Sequence, residues 1–201
     1  MAEPSFPRAD ADAPEFWDMR WRAGFTPWDA GRVPRHLREL VASRRPAGRV
    51  LVPGCGSGHD VRFLAECGLD VEGIDFSEAA IEAARPVLGP HAARLRHADF
   101  FADADGPFAL VYERAFLCAL PRRRWPDWAA RMAALVAPGG ELAGYFLFGA
   151  GDRGPPFPLR DAAELDALLA GPFERVEDLA VDDSIAVFAG KERWQAWRRR
   201  A

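Results

Sequence analysis

From residue 49 onward, short apolar runs alternate with stretches of helical periodicity. Arg49-Val50-Leu51-Val52 ends in Pro-Gly, the profile of a buried parallel strand. From Asp60 to Cys67, Val61, Leu64 and Ala65 share one helical face, and Gly68 supplies a stop. Val71 to Ile74 reads as a second strand. Ser77 is placed to cap a helix carrying Ala80, Ile81 and Ala84, closed near Pro86 and Gly89. Arg94 to His97 predicts a weak strand and Phe108 to Tyr112 a strong one. A helix over Trp125 to Val136 is expected to end at a Pro138-Gly139-Gly140 turn. Glu141 to Phe148 predicts a strand and Asp161 to Leu169 a helix. Arg175 to Val181 and Ser184 to Ala189 are close enough to form a last hairpin.

Ahead of this alternation, Met1 to Pro14 is rich in Pro, Ala and Asp and reads as a loose leader. Pro14 starts a short helix through Phe16, Trp17, Trp21 and Arg22, ended by Gly24; a second helix follows Pro34, with Leu37, Leu40 and Val41 in phase. The expected architecture is an α/β, Rossmann-like sandwich. Its seven-stranded sheet is mostly parallel with an antiparallel C-terminal hairpin strand, and residues 15–201 form one domain after a flexible 1–14.

Composition narrows the function. The chain has 201 residues, 49% hydrophobic and 28% charged, with a formal net charge of −4. That balance is globular and gives no positive field for nucleic acid or an anionic membrane. The Arg198-Arg199-Arg200 tail reads as a solvated end rather than a nucleic-acid contact. Cys55, Cys67 and Cys118 show neither pairing nor metal-ligand spacing, which predicts a reducing cytoplasm and no metal site. No apolar run approaches the ~20 residues of a membrane span, so a soluble protein is expected, and nothing argues against a monomer.

Chemistry concentrates where the first strand feeds the first helix, the end at which such sheets bind ligands. Gly54, Gly56 and Gly58 lie in the segment Pro53-Gly54-Cys55-Gly56-Ser57-Gly58. The pattern G-x-G-x-G is one residue short of the dinucleotide fingerprint, and a plain strand-to-helix turn would also explain it. Asp75 falls 21 residues after Gly54, just past the second strand, where a carboxylate accepts from ribose hydroxyls. Ser77 is the better cap for the next helix, so Asp75 is free for that role. Asp99 repeats the pattern after the third strand. Together these point to adenosine binding, without separating S-adenosylmethionine from NAD.

The flanking residues separate them. Phe16-Trp17-Asp18-Met19-Arg20-Trp21-Arg22-Ala23-Gly24 and Thr26-Pro27-Trp28-Asp29-Ala30-Gly31-Arg32 resemble the N-terminal motif of the thiopurine S-methyltransferase superfamily. The likeness continues through Val50 to Val61, Gly73 to Ser77, Val111 to Pro121, Trp125 to Trp128, Pro138 to Leu142, Gly154 to Phe157 and Gly190 to Trp197. Thr-Pro-Trp-Asp and Pro-Gly-Cys-Gly make the chain similar to the thiol and halide methyltransferase branch rather than to the mammalian thiopurine enzymes. The resemblance implies a class I methyltransferase fold with a helical cover over residues 15–45, and S-adenosylmethionine as cofactor. It implies cofactor contacts from Trp17, Trp21, Trp28, Gly54, Cys55, Gly56 and Phe76, with Asp75 at the ribose and Asp99 and Phe100 at the adenine. Tyr112 and Glu113 are expected beside the cofactor, and Tyr112 and Arg114 are the catalytic candidates. The branch often carries an acidic-Tyr-aromatic pattern where this chain reads Tyr112-Glu113-Arg114-Ala115-Phe116.

The expected reaction is in-line methyl transfer to a small soft nucleophile: a thiol, a thiopurine-like thiol, a halide or a chalcogen species. Such transfer needs alignment and desolvation more than a strong base. His36, His59, His91 and His97 are scattered and read as structural, and Cys118 reads as a small buried residue. Gly149 to Leu159 is either a lid over the acceptor or a surface connection. An NAD-dependent oxidoreductase and a non-catalytic adenosine-binding protein are the competing readings.

Overall fold

The structure, a computed structural model, describes residues 4–151 and 153–201. Two short helices, α1 (Pro14–Arg22) and α2 (Arg35–Ser43), precede the alternating body. There β1 (Val50–Pro53), α3 (His59–Glu66), β2 (Val71–Asp75), α4 (Glu78–Leu88), β3 (Leu95–His97) and β4 (Phe108–Arg114) follow in turn. The chain closes with α5 (Trp125–Leu135), β5 (Val136–Leu147), α6 (Ala162–Leu169), β6 (Phe173–Ala180) and β7 (Glu192–Arg199).

The seven strands form one sheet in the order β3-β2-β1-β4-β5-β7-β6. β1 to β5 pair in parallel, and β7 runs antiparallel to both β5 and β6. The order reverses between β1 and β4, the switch point at which a crevice opens beyond the strands' carboxyl ends. The sheet carries one core on each face. Leu37, Leu64, Leu88, Leu110, Tyr112 and Trp194 fill the face under α2, α3 and α4. Phe108, Val111, Trp128, Met132, Phe146 and Leu165 fill the face under α5 and α6.

Two predicted elements moved. The last strand is Glu192–Arg199, not Ser184–Ala189. The latter segment is a loop whose Ile185 and Phe188 pack with Cys118 and Leu147. Its apolar residues mimic a strand, whereas in the true strand arginines flank the buried Trp194, Ala196 and Trp197. Arg198 and Arg199 are therefore strand residues; Arg198 pairs with Glu141 at 3.2 Å and Arg199 donates to the Ala133 carbonyl. Likewise Pro138-Gly139-Gly140 does not stand outside the strand as a turn. β5 starts at Val136 and absorbs the three residues as an irregularity, its register with β4 jumping from Phe108↔Val136 to Leu110↔Glu141.

The N-terminal cover is held at several points. Asp18 Oδ1 accepts from the Ser77 hydroxyl (2.6 Å) and the Ala79 amide (3.1 Å), an anion seated on the positive end of α4. Trp17 Nε1 donates to the Ala11 carbonyl, and Arg123 reaches Asp10 at 2.7 Å and Asp12 at 3.2 Å. Residues Asp10 to Ala13 thus lie against the body.

Candidate active site

The glycine loop leaves β1 with Gly54, Gly56 and Gly58 all in the left-handed region, at φ +59°, +52° and +76°. A Cβ at Gly54 would lie 2.5 Å from the Phe116 ring, and one at Gly56 would lie 3.3 Å from Trp21. The loop is thus a cradle that tolerates no side chain on its open side. Asp75, at the end of β2, fastens it. Its Oδ2 accepts from the Gly56 amide (3.0 Å) and its Oδ1 from the Ser77 amide (2.9 Å). Ser77 caps α4 through its hydroxyl, accepting from Ala80 at 3.2 Å. A carboxylate has about four acceptor positions, so two remain for a ligand. Burial nonetheless raises the Asp75 carboxyl to about 6, against the lowering effect of the two amides.

Beyond the loop lies a cavity of about 500 Å³. The cover roofs it with Trp17, Trp21 and Trp28, whose rings meet edge to face at centroid distances of 5.4 and 6.3 Å. Gly54, Cys55 and Gly56 form one wall, and Asp75, Phe76, Asp99 and Phe100 continue it past β2 and β3. The Asp99 Oδ1 accepts from the Phe101 amide at 2.8 Å, which orients that carboxylate at the rim. Arg114, at the end of β4, also lines the cavity.

Tyr112 and Glu113 do not line it, and the pleat explains why. Side chains alternate faces along β4. Tyr112 points into the core beside Trp194, two residues short of the strand's end, and is fully buried. Glu113 points to the opposite face, where its Oε1 accepts from the Phe116 (2.8 Å) and Leu117 (3.0 Å) amides. It holds the turn in which Ala115 takes φ +56°. Burial raises the Glu113 carboxyl to about 7, against those two amides. Only Arg114, on Tyr112's face but at the strand's end, reaches open space; its guanidinium lies 4.8 Å from the Tyr145 ring centroid.

Sequence reasoning missed Asp60, Asp29 and Phe116, all of which line the same cavity. Asp60 begins α3 immediately behind the glycine loop, a position from which a short side chain faces the crevice; that placement was the available signal. Burial raises its carboxyl to about 6, with Arg114 opposing and Asp29 adding to the shift. Pro155 and Pro156 of the 149–159 segment, with Val187 and Phe188 of the loop before β7, close the far side. That segment is tied down by the Phe157 amide donating to the Cys118 carbonyl at 2.7 Å; its Asp152 lies outside the described residues. Burial pushes the Cys118 and Cys55 thiols up, so neither is an activated nucleophile. His36, predicted structural, stacks on Trp194 and lies 3.3 Å from the Tyr145 hydroxyl. Among the described residues no cluster of His, Cys, Asp or Glu could hold a metal ion, and no helix is long and apolar enough to cross a membrane.

Comparisons with known proteins agree with this geometry. Residues 12–200 match the family model described as thiopurine S-methyltransferase. The chain is similar to thiocyanate methyltransferase 1 of Brassica oleracea, at 36% identity over 91% of this chain and 84% of that protein. It is 30% identical to a thiopurine S-methyltransferase of Vibrio cholerae, over 84% of this chain and 87% of that one. In fold it matches a Burkholderia thailandensis 1,6-didemethyltoxoflavin-N1-methyltransferase solved with S-adenosylhomocysteine. The TM-score there is 0.76 at 19% identity, over 100% of this chain and 95% of that one.

Proposed function

The chain belongs to the thiopurine S-methyltransferase family and is an S-adenosylmethionine-dependent methyltransferase, and from that premise we propose that it methylates a small soft nucleophile, with a thiol as the leading class. The relatives named above are methyltransferases, so the oxidoreductase and non-catalytic alternatives draw no support from them. The observation that carries the proposal is the convergence of Asp75, the three cover tryptophans and Arg114 on one cavity.

The residues fit the cofactor. Asp75 keeps acceptor positions for two ribose hydroxyls after satisfying Gly56 and Ser77. Phe76, Asp99 and Phe100 offer a slot for the adenine. Trp17, Trp21 and Trp28 present aromatic surface to a cation, an attraction of roughly 0.5–2 kcal/mol per good contact. When bound, S-adenosylmethionine supplies an electrophilic methyl group on a sulfonium.

What the chain supplies is alignment and exclusion of water. The cover and the Pro155-Pro156 segment enclose the acceptor side, where stripping water from a soft nucleophile raises its reactivity. Arg114 sets a guanidinium there to orient a sulfur bearing negative charge. The plant and bacterial relatives carry thiocyanate, thiol and thiopurine in their names, which supports an acceptor built around sulfur.

Calorimetry with S-adenosylhomocysteine and with NAD tests the cofactor assignment. Binding of the first and indifference to the second is expected; the reverse would overturn it. Product detection with thiols, iodide and chalcogen oxyanions tests the acceptor class, with methyl thioether the expected major product.

A further inference from the structure

Asp60 lines the cavity between the glycine loop and Arg114, yet a soft anion has no use for a carboxylate. One of its oxygens, Oδ1, is closed off from bulk water, and the Tyr112 hydroxyl donates toward the carboxylate. A carboxylate has about four acceptor positions, so that one donor leaves room for a ligand's proton. Arg114 and Tyr112 of β4 and Asp29 of the cover face it, and His59, its chain neighbour, lines the same cavity.

Arg114 does not turn this corner positive. Glu192 of β7 faces its guanidinium as Asp60 does, so two carboxylates share one cation. A bare halide would meet no net positive charge there. A neutral group carrying an acidic proton meets a buried carboxylate and a guanidinium side by side.

We infer that Asp60 is the proton acceptor for a methyl acceptor that arrives as a neutral thiol, with Arg114 holding the sulfur as its charge develops. The inference rests on the methyl-transfer function above and narrows the acceptor class to protic thiols. The S–H bond breaks, its proton passing to the Asp60 carboxylate and its electron pair remaining on sulfur. That pair forms the new S–CH3 bond as the donor's C–S bond breaks, leaving its electrons on the departing neutral thioether. Asp60 then returns the proton to solvent. The chemistry calls for such a base. A cysteine thiol titrates near pH ~8.5 and is only a few per cent thiolate at pH 7, and a simple alkyl thiol is less ionised still. Burial leaves Asp60 ionised above about 6, close to the working range of an efficient base.

The test compares Asp60→Asn with the unaltered enzyme, using 2-mercaptoethanol and pentafluorothiophenol, the latter ionised throughout the range. At pH 7 the variant is expected to lose about 10²- to 10⁴-fold in kcat/KM for 2-mercaptoethanol. It should keep its rate with pentafluorothiophenol and its affinity for S-adenosylhomocysteine, and regain alkyl-thiol turnover as pH approaches 9. Equal loss with both thiols, full retention with 2-mercaptoethanol, or weakened S-adenosylhomocysteine binding would each overturn the inference. The unaltered enzyme provides an arm that needs no variant: kcat/KM for 2-mercaptoethanol should fall below about pH 6, with no matching acid limb for pentafluorothiophenol. Identical acid limbs would also overturn it. If the unaltered enzyme binds no S-adenosylhomocysteine, the methyl-transfer function itself fails, a result separable from all of these.

Discussion

The two walls of the cavity are built on opposite plans. The glycine-loop wall draws most of its residues from one stretch of chain, from Gly54 to Phe76, and is fixed by backbone: three left-handed glycines, and Asp75 gripping two amides. The acceptor wall is assembled from segments far apart in sequence. Trp28 and Asp29 come from the cover, Asp60 from α3, Arg114 and Phe116 from the end of β4, and Phe188 from the loop before β7. The first wall can present the same shape to the same cofactor whatever lies opposite. The second, which the proposed function gives to the acceptor, depends on side chains that only the fold brings together.

That contrast can be broken most severely at the sheet between the walls. A Cβ at Gly144 would lie 1.8 Å from the Glu113 carbonyl oxygen, a backbone atom of the strand directly paired with it. Gly144→Ala is expected to cost more than about 4 kcal/mol and to leave little folded protein by circular dichroism. Gly54→Ala should behave differently. Its Cβ meets the Phe116 ring, a side chain at the cavity edge, and its left-handed backbone costs roughly 1–2 kcal/mol. The protein should fold and lose S-adenosylhomocysteine binding in calorimetry. A folded Gly144→Ala, or a Gly54→Ala with undiminished affinity, would dissolve the distinction between scaffold and cradle.

A smaller effect sharpens the cofactor wall. Asp75→Asn removes the charge that favours ribose hydroxyls as donors, and with it one of the two oxygens that grip the Gly56 and Ser77 amides. It should weaken S-adenosylhomocysteine by about 1.5–3 kcal/mol, the usual value of a hydrogen bond to a charged group. Unchanged affinity would mean that the ribose is held elsewhere.

A last effect concerns the turn behind Phe116 and is read through stability. Burial raises Glu113 from 4.5 to about 7, so between those values the folded chain binds a proton that the unfolded chain has released. Stability therefore falls as pH rises through this window, by up to about 1.4 kcal/mol per pH unit for one group. Asp60 and Asp75, raised from 3.8 to about 6, act in the same direction. The ligand-free protein is expected to melt at a higher temperature at pH 5 than at pH 8, and Glu113→Gln to make that slope shallower. A slope of the opposite sign, or one unaltered by Glu113→Gln, would remove Glu113 as a buried, proton-linked support of the 115–119 turn.

The alternating elements of the body were legible because each strand and helix there signals locally. Apolar runs stop at glycine or proline, and Ser77 caps α4 as its position predicted. The last strand was not legible. Arginines interrupt the apolar residues of β7, while the preceding loop carries an apolar run that packs without pairing.

What the chain determined by itself is the order of its elements as far as β6, and the glycine loop with Asp75 and Ser77 after the next strand. Those features depend on backbone conformation and on spacing within a few turns of chain. Only the tertiary structure decided which residues at the end of β4 face the cavity. A pleat of period two sends Tyr112 into one core, Glu113 to the other face and Arg114 to the open end, and neighbouring letters in a sequence do not reveal which face is which. It also decided that Asp60 and Arg114 stand together. They are 54 positions apart in the chain, and they meet because α3 starts and β4 ends at the same edge of the sheet.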